Sequence, residues 1–99
     1  MEHILPLGSI VHIKTDTQTD YMIVNRAALY QEGKQVGYFD YAAVIYPDGL
    51  NANNELTFFN REDITSVLFT GYINQVEREL IRDYDQIVAD SGYPKLPSH

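Results

Sequence analysis

The sequence predicts an α+β domain. The expected architecture is an antiparallel sheet of four to five short strands, either flat or curled into a partly open barrel, followed by one C-terminal amphipathic helix. Three observations predict it. Residues 10–70 hold short runs rich in β-branched and aromatic side chains, separated by polar or Gly/Pro-containing turns. The connections are too short for helical crossovers, so neighbouring strands must run antiparallel. Beyond them, Ile73, Val76, Leu80, Ile81, Tyr84, Ile87 and Val88 trace one apolar stripe at the 3.6-residue period of a helix.

Each element has a local reason. Pro6-Leu7-Gly8-Ser9 is a turn that launches a first strand over residues 10–14, with Val11 and Ile13 on one face and His12 on the other. Residues 15–20 are polar and read as a hairpin loop without the Asn-Gly or Asp-Gly signal of a tight turn. A second strand covers residues 21–27 and can extend to Tyr30. Residues 31–35 read as the next turn, and residues 38–46 as the strongest strand, closed by Pro47-Asp48-Gly49. Residues 56–59 and 66–70 are further short strands, with Asn60 placed to cap one helical turn between them. Asn74 and Glu77 have capping-box spacing at the start of the long helix, and Gly92 and Pro94 end it. One domain over residues 1–92 follows, with residues 93–99 as a flexible tail.

Composition narrows the function. The chain has 99 residues, enough for one core. Seven Lys and Arg against fourteen Asp and Glu give a formal charge of −7, which opposes nucleic-acid backbones and anionic lipid. With no cysteine, disulfides and thiolate zinc sites are excluded. No apolar run approaches the ~20 residues of a membrane span, and residues 1–6 carry no secretory-signal pattern, so no membrane insertion and a cytoplasmic location are expected.

The acids, histidines and serines suggest little catalysis. Asp40 lies between Phe39 and Tyr41 and would serve as a base only if turned inward; a carboxylate on the solvent or edge side, or one hydrogen-bonding a turn, is the plainer expectation. Glu62 and Asp63 suit the first turn of a short helix. His3, His12 and His99 lack metal-ligand spacing, and residues 48–55 lack the alternating acids of a calcium loop. No serine sits in a nucleophile elbow and no glycines form a phosphate loop. No enzyme activity, cofactor or metal is therefore expected. The acids of the helix, Glu77, Glu79, Asp83, Asp85 and Asp90, read as a solvated face or as a dock for a basic segment.

The order of several motifs resembles domain-of-unknown-function family 4176, small proteins of Firmicutes. The pieces are Leu5-Pro6-Leu7-Gly8-Ser9, Tyr21-Met22-Ile23-Val24-Asn25-Arg26, Phe39-Asp40-Tyr41 with Tyr46-Pro47-Asp48-Gly49, and Phe58-Phe59-Asn60-Arg61-Glu62-Asp63 with Phe69-Thr70-Gly71-Tyr72. Ala27-Ala28 departs from the polar or Gly-containing turn more usual after Arg26. The resemblance implies an accessory of type VII secretion, a chaperone or adaptor that binds the N-terminal region of an LXG-type toxin or another secretion component. The alternative is an immunity protein that neutralises a toxin domain. The resemblance supplies no binding residues. Residue type points to Tyr21, Tyr38, Phe39, Tyr41, Tyr46 and Arg61 as partner contacts, because aromatic rings and arginine give contact area at small entropic cost. Unpaired sheet edges in so small a chain also make a homodimer an open expectation.

Overall fold

The computed structural model describes residues 3–98. Met1, Glu2 and His99 lie outside the described residues, and with them the outer ends of the expected domain and tail. Five strands precede one helix: β1 (Ile10–Ile13), β2 (Asp16–Glu32), β3 (Gln35–Ile45), β4 (Thr57–Phe59), β5 (Ile64–Phe69) and α1 (Gln75–Ser91), with a short 3-10 turn at Arg61–Asp63 before β5. The strands form one open antiparallel sheet in the order β4-β3-β2-β1-β5. The α+β architecture is therefore as the sequence predicts.

The first hairpin is tighter than its sequence suggests. Ile13 pairs with Asp16, so the turn is Lys14-Thr15, and residues 16–20 belong to β2 and not to a loop. Asp16 supplies what a glycine would have supplied, a local anchor for the backbone: its carboxylate accepts the N–H groups of Gln18 and Thr19, each at 3.1 Å. Hydrogen bonds from the Thr19 side chain and then the Gln18 backbone hold that carboxyl below its ordinary range.

The second hairpin is longer than expected. Glu32 pairs with Gln35 across Gly33-Lys34, where Gly33 takes φ 63. Register passes from Ile23↔Ala43 to Asn25↔Ala42, leaving Val24 as an extra residue, and Ala27 takes φ 50. A bulge of this kind bends a strand. The Ala27-Ala28 departure thus marks a bend within β2, not the connection to β3. The far end of this arm curls until Tyr30 and Glu32 share a cleft with Ile13 and Lys14.

Residues 37–44 of β3 are all buried, so both its faces are covered. The core gathers Ile4, Val11, Ile23, Tyr41 and Phe59 with Tyr84 and Val88 of α1. Burial pushes the Tyr41 hydroxyl up to about 12, while the hydrogen bond it accepts from the Leu5 N–H, at 2.9 Å, acts the other way. α1 begins where predicted: the Asn74 side chain accepts the Glu77 N–H at 2.8 Å, and Gly92 ends the helix at φ 80. Its apolar stripe is only half used. Tyr84 and Val88 are buried, whereas Val76 and Ile87 are exposed.

The C-terminal segment, expected as a tail, lies docked against β3. Tyr38 donates its N–H to Pro94 O at 2.9 Å, Leu96 donates to Tyr38 O at 2.8 Å, and Leu96 is buried. Gly37 makes this contact possible. A Cβ there would lie 2.6 Å from both the Leu96 side chain and the Pro94 carbonyl. A segment with Pro94 and Pro97 has no strand or helix period, so its docking is invisible before β3 is built.

Candidate functional site

Two features organise the polar and aromatic side chains. The first is a carboxylate hub. β3 carries Asp40 into the interior, where its side chain is wholly buried. One oxygen accepts the Tyr84 hydroxyl at 3.0 Å. The other accepts the Arg61 backbone N–H at 3.0 Å and lies 3.0 Å from Lys95 Nζ and 3.4 Å from Arg61 Nε. Beside it, Asn60 accepts the Asp40 N–H at 3.0 Å and donates to Leu96 O at 2.8 Å, and Asp63 accepts the Asn60 N–H at 2.9 Å. The hub therefore joins β3, the 3-10 turn, α1 and the tail.

Its electrostatics follow from this crowding. Burial raises the Tyr84 hydroxyl pKa, and the charge and hydrogen bond of Asp40 raise it further. Burial alone would lower the Lys95 ammonium, but its bonds to Glu62, at 2.6 Å, and to Asp40 outweigh that and raise it. Arg61 also pairs with Asp85 and lies 5.5 Å from the Tyr84 ring centroid. Asp40 is turned inward and not set on the solvent or edge side: both oxygens are engaged, and it does not line the aromatic cleft described below. Among the described residues every buried side-chain nitrogen and oxygen has a hydrogen-bond partner.

The second feature is an open cleft of about 580 Å³ between the curled β2–β3 arm, the end of β1 and β4. That volume lies within the usual range for small-ligand and side-chain pockets. Its wall is a triangle of rings: Tyr30 lies 5.8 Å from Phe39 and 5.1 Å from Phe58, and those two are 5.7 Å apart. Lys14, Glu32 and Asp63 supply its charged lining, and Ser98 brings the tail to it.

The residues expected to contact a partner are dispersed. Tyr21, Tyr38, Phe39 and Tyr41 are buried, so they do not form an outward-facing patch. Their high apolar content, which suggested an interface, serves the core instead. Tyr46 is exposed, and Arg61 is committed to Asp40 and Asp85. Phe39 alone of the six lines the cleft. Tyr30 and Phe58, which complete it, are not singled out by residue type or motif. Tyr30 is the last residue of the expected second strand, and nothing in the order of residues shows that the arm bends back.

A line of Asp20, His12 and Ser66 also crosses β2, β1 and β5. His12 Nε2 lies 2.8 Å from Asp20 Oδ1, and His12 is paired across strands with Ser66. Among the described residues no hydrogen bond joins Ser66 to the imidazole, and the group does not line the aromatic cleft. A serine nucleophile needs its base within hydrogen-bond reach. Among the described residues no group of three or more His, Asp or Glu is arranged to hold a metal ion. No described helix is long and apolar enough to cross a membrane.

A family model described as a domain of unknown function, DUF4176, matches residues 4–80. The chain belongs to the DUF4176 family. The matched region spans all five strands, Asp40, Asn60, Arg61 and the ring triangle. It stops within α1, so Tyr84, Asp85 and the docked tail lie beyond it. Neither a curated protein nor a solved structure matches this DUF4176 chain at a significant level.

Proposed function

We propose that this DUF4176 protein is a non-enzymatic cytoplasmic chaperone or adaptor that binds the N-terminal region of an LXG-type toxin for type VII secretion. The observation that carries the reading is the open aromatic cleft formed by Tyr30, Phe39 and Phe58, a concave apolar surface that α1 leaves uncovered. Such a surface seats apolar side chains of a client segment. The net charge of −7 draws a basic client and keeps the unloaded protein soluble. The resemblance of the motif string to a family of type VII secretion accessories supplies the class of client.

Co-purification with a toxin encoded next to it tests the reading. Binding is expected to map to the toxin's N-terminal half, and Tyr30→Lys is expected to weaken it at least about tenfold while leaving the circular dichroism spectrum unchanged. Tyr46→Ala, an exposed site outside the cleft, should leave affinity unchanged. Binding confined to the toxic C-terminal domain replaces the adaptor reading with the immunity reading. Loss on Tyr46→Ala with none on Tyr30→Lys removes the cleft from it.

A further inference from the structure

β5 is an anomaly in this fold. It ends the sheet, and among the described residues no strand pairs with its outer edge. From Thr65 to Phe69 its side chains are exposed on both faces, where a strand covering a core would alternate. Leu68 is 48% exposed and Phe69 59%; just beyond the strand, Tyr72 is 83% and Val76 70% exposed. Residues 64–76 also contain no Asp, Glu, Lys or Arg, in a chain where 21% of residues are charged. Natural edge strands are normally guarded by charge or proline, and this one has neither. The two acids that bracket the run are engaged inward: Asp63 accepts from Asn60 and Ser98, and Glu77 pairs with Arg26.

We propose that this neutral ribbon is the contact surface for a second copy of the chain, packed about a two-fold axis through Leu68, Phe69, Tyr72 and Val76. Charge selects the occupant. Two chains of −7 repel wherever their acidic faces approach, and a surface without charge is the one they can share at least cost. Size is adequate too. A stable interface takes about 800 Å² from each partner, roughly an eighth of the 6228 Å² surface of this chain. Thirteen mostly exposed residues of 99 are of that scale.

The contact is made by side chains more than by a long added ladder. Pairing of β5 to β1 runs Ile10↔Phe69 then Val11↔Val67, and His12↔Ser66 then Ile13↔Ile64, so Leu68 and Thr65 are extra residues that kink the strand. A kinked edge limits continuous strand addition while pushing Leu68 outward. In a C2 arrangement each sequence position contributes from both copies, so one apolar residue adds its buried area twice to the interface.

The test is sedimentation equilibrium of the full chain over a wide concentration range at two salt concentrations. The expected species has twice the 11.3 kDa chain mass and tightens as salt rises, because screening removes the repulsion between copies. Phe69→Lys and Tyr72→Glu should each weaken it at least about thirtyfold with unchanged circular dichroism. As the chain has no cysteine, Leu68→Cys should give a disulfide-linked dimer on mild oxidation, and Lys34→Cys at the far hairpin should not. A monomer at every concentration overturns the proposal, as does a dimer indifferent to both charge substitutions. A monomer whose toxin binding is lost on Phe69→Lys also overturns it and assigns the ribbon to the foreign partner. The client reading is separate: Tyr30→Lys leaves this self-association intact.

Discussion

The two edges of the sheet are finished in opposite ways. At the β4 edge the last strand is three residues long, and the docked tail pairs with β3 at Tyr38. Beneath it Asp40 ties β3 to the 3-10 turn, α1 and the tail. At the β5 edge nothing of this kind is present among the described residues. Apolar side chains face outward and no charge intervenes from residue 64 to 76. The contrast shows that this chain can close an edge with its own residues and has done so at one end alone. The tail-covered edge carries the buried hub, and the aromatic cleft lies against β4 on that same side; the β5 edge offers its exposed side chains alone.

Substitutions that break this contrast are graded by it. The largest effect is expected at the hub. Asp40→Ala leaves Lys95, Arg61 and the Tyr84 hydroxyl facing a vacated buried site, and losing one member of a buried ion pair costs about 3–5 kcal/mol. Urea denaturation reads this as a lower midpoint at similar slope, accompanied by faster amide exchange at Leu96 as the tail is released.

Tyr84→Phe removes one donor to Asp40 and should cost about 1–2 kcal/mol at neutral pH. It also sharpens the alkaline behaviour. The folded state holds the phenols of Tyr41 and Tyr84 protonated beyond their ordinary value of 10.0, burial being the main cause in each. The stability this confers is fully present below pH 10 and is lost as pH rises through the folded values, from 10 to about 12 for Tyr41 and further for Tyr84. Thermal melts between pH 9 and 12 should therefore fall more steeply for the unmodified chain than for Tyr84→Phe.

The smallest stability effect is expected at the open edge. Leu68→Lys should leave monomer stability within about 0.5 kcal/mol, because the side chain it replaces is already half exposed. A large loss of monomer stability there would show that β5 is held by more than β1, and the contrast between the edges would fail.

Legibility in the sequence tracked the range of the interactions involved. The end of the long helix was readable because Asn74 and Gly92 act on backbone groups within a few residues. The β3 core was readable because an aromatic and β-branched run suits no other place. The tight Lys14-Thr15 turn was not, since Asp16 replaced the expected glycine signal with a side-chain anchor. Among the proposed contacts, the same chemistry that favours interfaces also favours cores: Tyr21, Tyr38 and Tyr41 belong to the core, and Phe39, though buried, lines the cleft. Tyr30 and Phe58 are 28 residues apart in the chain, and it is their pairing on either side of β3 in a bent sheet that brings them together.

By itself the sequence determined the class of the fold, the acidic surface and the membership of residues 4–80 in one family, because composition, period and motif order are properties of the chain alone. The tertiary structure decided that Asp40 is buried with both oxygens engaged, that the tail is docked, and that one sheet edge stays bare among the described residues. Those outcomes depend on which distant segments share space, and the free energy of burying a carboxylate or an edge is set by neighbours that no local pattern names.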